Sequence, residues 1–82
     1  MREDILLHLG PLLKTIRKEK KLTLSQLAES IEVSKGLLSK IENGHTVPSL
    51  PVLLQLIKYL EISPSYFFAR MEESYNFLEN AS

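Results

Sequence analysis

The sequence predicts an all-α domain of five short helices with a helical extension at its C-terminal end. Three observations predict this. No segment sustains the period-2 alternation of a half-buried strand. Apolar residues recur at helical spacing in several segments, most clearly at Leu53, Leu54, Ile57 and Leu60. Those segments are punctuated by side chains that cap helix starts and by turns short enough to make successive helices neighbours.

The first helix is expected over about 11–20, where Leu12, Leu13 and Ile16 make an apolar stripe and Pro11 suits a first helical position. The preceding EDILLHL, residues 3–9, can form a helical turn that Gly10 and Pro11 interrupt or kink, with Ile5, Leu6 and Leu9 as its apolar side. Thr23 followed three residues later by Gln26 makes a capping box for a second helix over about 24–31, burying Leu27, Ala28 and Ile31. Ser34 is the N-cap candidate of a third helix over about 34–43, with Leu38 and Ile41 on its apolar face. Gly44 follows the last periodic position, where a left-handed C-terminal cap needs no side chain. Ser49 caps the fourth helix and tolerates Pro51 in its first turn. Ser63 and Pro64 open the fifth, with Phe67 and Phe68 as expected buried anchors. The spacing of Phe67, Met71, Tyr75 and Leu78 would carry this helix into the tail. Residues 1–68 then form the domain and 69–82 the extension, which either folds back on the domain's own core or offers a surface for self-association.

Composition narrows the function classes. A chain of 82 residues makes one small domain near the lower limit for folding without staples. There is no cysteine and only His8 and His45 as soft ligands, so neither a disulfide framework nor a metal site is expected. A hydrophobic share of 44% against 24% charged residues is ordinary for a globular cytosolic protein, so the expected location is cytoplasmic. No apolar run approaches the ~20 residues that span a bilayer. The N-terminus, acidic at Glu3 and Asp4, fits a secretory signal poorly. An enzyme is disfavoured, because no Gly-rich phosphate loop and no nucleophile placed with a histidine and an acid is evident. No cofactor and no small-molecule substrate is implied.

Charge is balanced overall but not along the chain. Residues 14–40 carry seven cations against three acids, net +4, and the remainder carries three against seven, net −4. Either the positive side of this dipole faces a polyanion, or Lys18, Lys20 and Lys21 merely solvate a helix end where cations suit the macrodipole.

The run LTLSQLAESIEVSKGLLSKIENGHTVPSL resembles the helix-turn-helix domains of phage repressors and Xre-type transcriptional regulators, the lambda repressor-like family. The resemblance covers roughly Leu9 to Phe68. It rests on Arg17 six residues before Thr23, on Leu27-Ala28, on Ser39-Lys40-Ile41-Glu42-Asn43-Gly44, and on Pro48-Ser49-Leu50 in one consistent spacing. It implies a sequence-specific transcriptional regulator that binds double-stranded DNA as a homodimer on a two-fold operator. The alternative it leaves open is a protein-interaction module or antitoxin component on the same fold.

In this motif the second helix of the pair lies in the major groove. The resemblance places base-reading positions at Ser34, Lys35, Gly36 and Lys40. Lys35 is the best candidate for guanine O6 and N7, and Lys40 reaches a base or a phosphate. Helical phase adds Ser39 and Asn43 as outward or flanking positions. Leu37 is either a thymine-methyl contact or the flank of the core. Gly36 is either a close approach of backbone to DNA or a tolerated small surface residue. Ser25 and the backbone amides of His45 and Thr46 are natural phosphate donors. The family implies that Arg17 and Glu42 are a structural ion pair rather than DNA readers. Three positions depart from the family pattern. Leu24 stands where glutamine is common. Glu32 stands where glycine is usual in the turn and would bear a positive or strained backbone angle, with a negative charge near the DNA face. Lys21 likewise replaces a common glycine.

Overall fold

The computed structural model describes the backbone of residues 8–81 and the side chains of 8–74. The turn expected over 3–7, with Ile5 and Leu6, and the side chains of Tyr75 and Leu78 lie outside the described residues. Five helices make up the described chain: α1 (Leu9–Glu19), α2 (Leu24–Ser30), α3 (Lys35–Glu42), α4 (Leu50–Tyr59) and α5 (Pro64–Ala81). There is no strand among the described residues.

Each start is written in local chemistry. Thr23 Oγ1 accepts from the Gln26 N–H at 3.0 Å while the Thr23 N–H donates to Gln26 Oε1 at 2.8 Å, a complete capping box. Ser34 Oγ accepts from the Leu37 N–H, Ser49 Oγ from the Val52 N–H and Ser63 Oγ from the Tyr66 N–H. Each bond satisfies one amide that the helix cannot satisfy itself.

The first four helices end alike. The N–H groups of Lys21, Glu32, Gly44 and Glu61 donate to carbonyls three residues back, and those of Leu22, Val33, His45 and Ile62 donate to carbonyls five residues back. This is the Schellman pattern, and it requires a left-handed residue at the turn. Lys21, Glu32, Gly44 and Glu61 supply it with φ of 60°, 59°, 77° and 58°. Only one of the four is glycine. Leu22, Val33 and Ile62 then turn inward against the core, which is what fixes the exit angles.

α1 packs on α3 and α5, α2 on α3 and α4, and α4 on α5. Leu13, Ile16, Leu27, Leu38, Ile41, Leu56, Ile57, Leu60 and Phe67 are almost fully enclosed between them. Three sequence expectations need correction. α1 begins at Leu9, not at Pro11, and Gly10 does not interrupt it. A Cβ on Gly10 would collide with the Ile41 carbonyl, so this glycine is where the backbones of α1 and α3 meet. On α4 the fourth core residue is Leu56, whereas Leu54 is 45% exposed. On α5 Phe67 is buried but Phe68 is 43% exposed, touching Phe67 edge-to-face at 5.4 Å. Leu54 and Leu56 lie about 200° apart around α4, and Phe67 and Phe68 about 100° apart around α5, so the face that packs on the core takes one of each.

α5 runs through residues 68–69 without a break, and Met71 beyond that point is buried. Its early turns are tied to the end of α1. Arg70 donates from Nη1 to Glu19 Oε1 at 2.7 Å and from Nη2 to Oε2 at 3.1 Å, and lies over the Tyr66 ring.

Candidate nucleic-acid interface

α3 is held by its inner face and presents its outer one. Leu38 and Ile41 are buried, and so is Glu42. Arg17, buried on α1, grips Glu42 with a two-bond fork: Nε to Oε2 at 2.7 Å and Nη2 to Oε1 at 3.0 Å. Its third nitrogen, Nη1, donates to the Leu22 carbonyl at 2.8 Å, so one guanidinium binds the end of α3 and the entry to α2 together. No buried side-chain polar atom lacks a partner among the described residues. The pair is therefore a satisfied structural device, with both members withdrawn from solvent.

The opposite face is open. Ser34, Lys35, Gly36, Lys40 and Asn43 are exposed, and Leu37 is 40% exposed. Ser39 is half-buried and accepts from Asn43 Nδ2 at 3.3 Å, a bond along the helix rather than away from it. Neither Lys35 nor Lys40 is in an ion pair among the described residues. At the start of α3 the Ser34 cap satisfies the Leu37 amide. The amides of Lys35 and Gly36 come before it and find no carbonyl within the helix. Gly36 has nothing within 4 Å of where a Cβ would stand, so the fold itself does not require a glycine there. A cation, two amides without a partner in the helix and a missing side chain thus share one helix start, a setting that suits an anion or a base edge.

Around this rod lie the other expected contacts. Ser25 is exposed in the first turn of α2, and Leu24 beside it packs against the core. After Gly44 the chain leaves α3 through His45, which is exposed, and Thr46, which is half-buried. His45 occupies the place that Leu22, Val33 and Ile62 fill in the other three helix exits, yet it does not enter the core. The sequence reasoning did not find Gly10 or the two amides of α3. A glycine before a proline reads locally as a helix breaker, and backbone amides leave no mark in a sequence except through the N-cap before them.

The helix-turn-helix model of protein families matches residues 13–67. The HTH-type transcriptional regulator SlrR of Bacillus subtilis (strain 168) is 39% identical over 61 residues, 73% of this chain and 40% of that protein. The chain therefore spans less than half of that relative's length. The crystal structure of the clp gene regulator ClgR from Corynebacterium glutamicum superposes with a TM-score of 0.88 at 28% identity, over 94% of this chain and 82% of that one. The restriction-modification controller protein C.Esp1396I, solved as a tetramer with its natural 35 base-pair operator, superposes with a TM-score of 0.78 at 28% identity, over 84% of this chain and 91% of that one. With a match that runs from within α1, through both helices of the pair, to the buried Phe67 of α5, the chain belongs to the helix-turn-helix family.

Proposed function

We propose that this chain is a sequence-specific DNA-binding transcriptional regulator that inserts α3 into the major groove and acts as a homodimer on a two-fold operator. The observation that carries the reading is the two-sided character of α3: its inner face is locked by Arg17 and Glu42, and its outer face carries Lys35 and Lys40 exposed and outside any ion pair among the described residues. Ser34, Lys35, Gly36, Leu37, Ser39, Lys40 and Asn43 form the groove-facing set, with Ser25, His45 and Thr46 toward phosphates. The structure of C.Esp1396I on its operator supports the reading by likeness of fold.

One domain of this size makes few base and phosphate contacts, so two copies with half-sites about one helical turn, ~34 Å, apart would supply the rest. Residues 69–82 are the proposed self-association segment. No described helix is long and apolar enough to cross a membrane. A cytoplasmic location and the absence of any catalytic step belong to the same proposal.

Selection of binding sites from random duplex DNA, with the mass of the bound species measured, tests it. The expected product is a two-fold sequence bound by two chains, with affinity falling steeply as salt rises. Unenriched pools, or a flat salt response, would refute it. Loss of DNA binding in Lys35→Ala and Lys40→Ala with any protein partner retained separates this reading from an interaction module.

A further inference from the structure

The turn between α2 and α3 carries an acid where the backbone asks for none. Glu32 sits at φ 59°, a left-handed angle that a residue with a Cβ adopts only at a cost. Its side chain is exposed and belongs to no ion pair among the described residues. Nothing in the turn's hydrogen bonding uses the carboxylate, since the Schellman bonds run through backbone groups alone. Two residues later Ser34 caps α3, and Lys35 follows. Two residues of chain span at most ~7 Å. Even with the few ångströms of its side chain added, the carboxylate stays well within the screening length of about 30 Å at 0.01 M salt, so at low salt the charge acts on whatever meets the start of α3.

We infer that Glu32 limits the sequence-independent affinity of this interface for DNA: its exposed carboxylate, carried beside the start of α3, repels the phosphates that α3 must approach. The inference rests on the DNA-binding reading above. Non-specific binding is almost entirely a phosphate term, so an anion at this point weakens it directly and leaves occupancy to depend on base contacts. A purely structural role gives a different result, because an acid near a helix start favours the α3 dipole and would act on stability alone.

Glu61 provides the control. It has the same residue type, the same left-handed angle at φ 58° and the same Schellman bonds, but it closes α4. The experiment measures binding of the whole chain to a labelled random-sequence duplex by fluorescence anisotropy across a salt series, with melting curves, for wild type, Glu32→Gln, Glu32→Gly, Glu61→Gln and Glu61→Gly. Both Glu32 variants are expected to bind about two- to threefold more tightly per chain at low salt, the order of the factor for one unit charge about 7–10 Å from a phosphate in water. The gain should vanish toward about 1 M salt, where screening shortens to ~3 Å. The Glu61 variants should bind as wild type. Both glycine variants should melt higher, and Glu32→Gln should not, which separates the charge from the backbone angle. Binding of Glu32→Gln equal to wild type would overturn the inference, and so would an equal gain in Glu61→Gln. If wild type binds duplex with no salt dependence, the DNA-binding reading itself falls first; if it binds with the expected slope and Glu32→Gln matches it, only the role of Glu32 falls.

Discussion

Arg17 and Glu42, twenty-five residues apart, meet inside the protein through two parallel hydrogen bonds of 2.7 and 3.0 Å. The contact fixes the last turn of α3 to the last turn of α1. Arg17→Ala would leave the Glu42 carboxylate buried without a cation and the Leu22 carbonyl without its donor. The expected loss is about 3–5 kcal/mol, much of the stability of a small domain. Replacing both partners, as Arg17→Met with Glu42→Leu, should cost less than Arg17→Ala alone, because no charge is stranded. Urea denaturation of the three variants checks the order, and an Arg17→Ala midpoint equal to wild type would contradict it.

The two helical glycines should respond oppositely to alanine. Gly10→Ala drives a methyl into the Ile41 carbonyl and should cost about 1–3 kcal/mol by overpacking. Gly36→Ala meets open space and should be neutral or stabilising by up to ~1 kcal/mol, since alanine favours the helix. If backbone approach to DNA is the reason for Gly36, its alanine variant binds operator less well while melting no lower. Paired melting and binding curves decide both.

Lys35 and Lys40 are exposed, so their removal should leave stability within about 0.5 kcal/mol. Lys35→Ala is expected to cost about 1–3 kcal/mol of operator binding and to relax preference at one base pair. If Lys40 meets a phosphate, Lys40→Ala should weaken binding evenly across sequences and reduce the salt slope by about one per chain. Site selection repeated with each variant distinguishes a base reader from a phosphate anchor.

Acid should loosen the tie between α1 and α5. The hydrogen bonds from Arg70 hold the Glu19 carboxyl below its ordinary value of 4.5, and the same bonds push the Arg70 guanidinium upward. A carboxyl whose value is lower folded than unfolded stabilises fully above the unfolded value, and that contribution is lost as pH falls through the folded value. Stability carried by this pair is thus present above pH 4.5 and declines below it. Glu19→Gln should be slightly less stable at neutral pH and show a shallower acid limb. Because the pair is exposed, the difference should be small and should shrink in high salt. Melting temperatures at stepped pH for wild type and Glu19→Gln make the measurement.

What could be read in advance was whatever a few consecutive residues settle among themselves. Thr23 with Gln26, and the serines at 34, 49 and 63, mark helix starts because the acceptor and the orphan amide lie within one turn. The left-handed exit at Gly44 was legible for the same reason, and the one at Glu32 through likeness to a family, which at Lys21 marked only a replaced glycine. The one at Glu61 was not, since nothing in its side chain announces a positive φ. For the candidate site, helical phase from Leu38 and Ile41 indicated which side of α3 faces out. The pairing of Arg17 with Glu42 came from the resemblance, because no local pattern joins residues on separate helices.

The sequence by itself determined the order of the described helices and the starts of α2 to α5, because capping and the 3.6-residue period act over distances of one or two turns. The exception is α1, whose start carries no side-chain cap and which began two residues earlier than expected. Only the tertiary structure decided which member of each apolar pair turned inward, Leu56 rather than Leu54 and Phe67 rather than Phe68, since the rotation of a helix is set by what packs against it. It also decided that Gly10 is a contact between helices rather than a break, and that Glu19 finds Arg70. Those relationships join parts of the chain far apart in sequence, and they exist only once the helices have closed on one another.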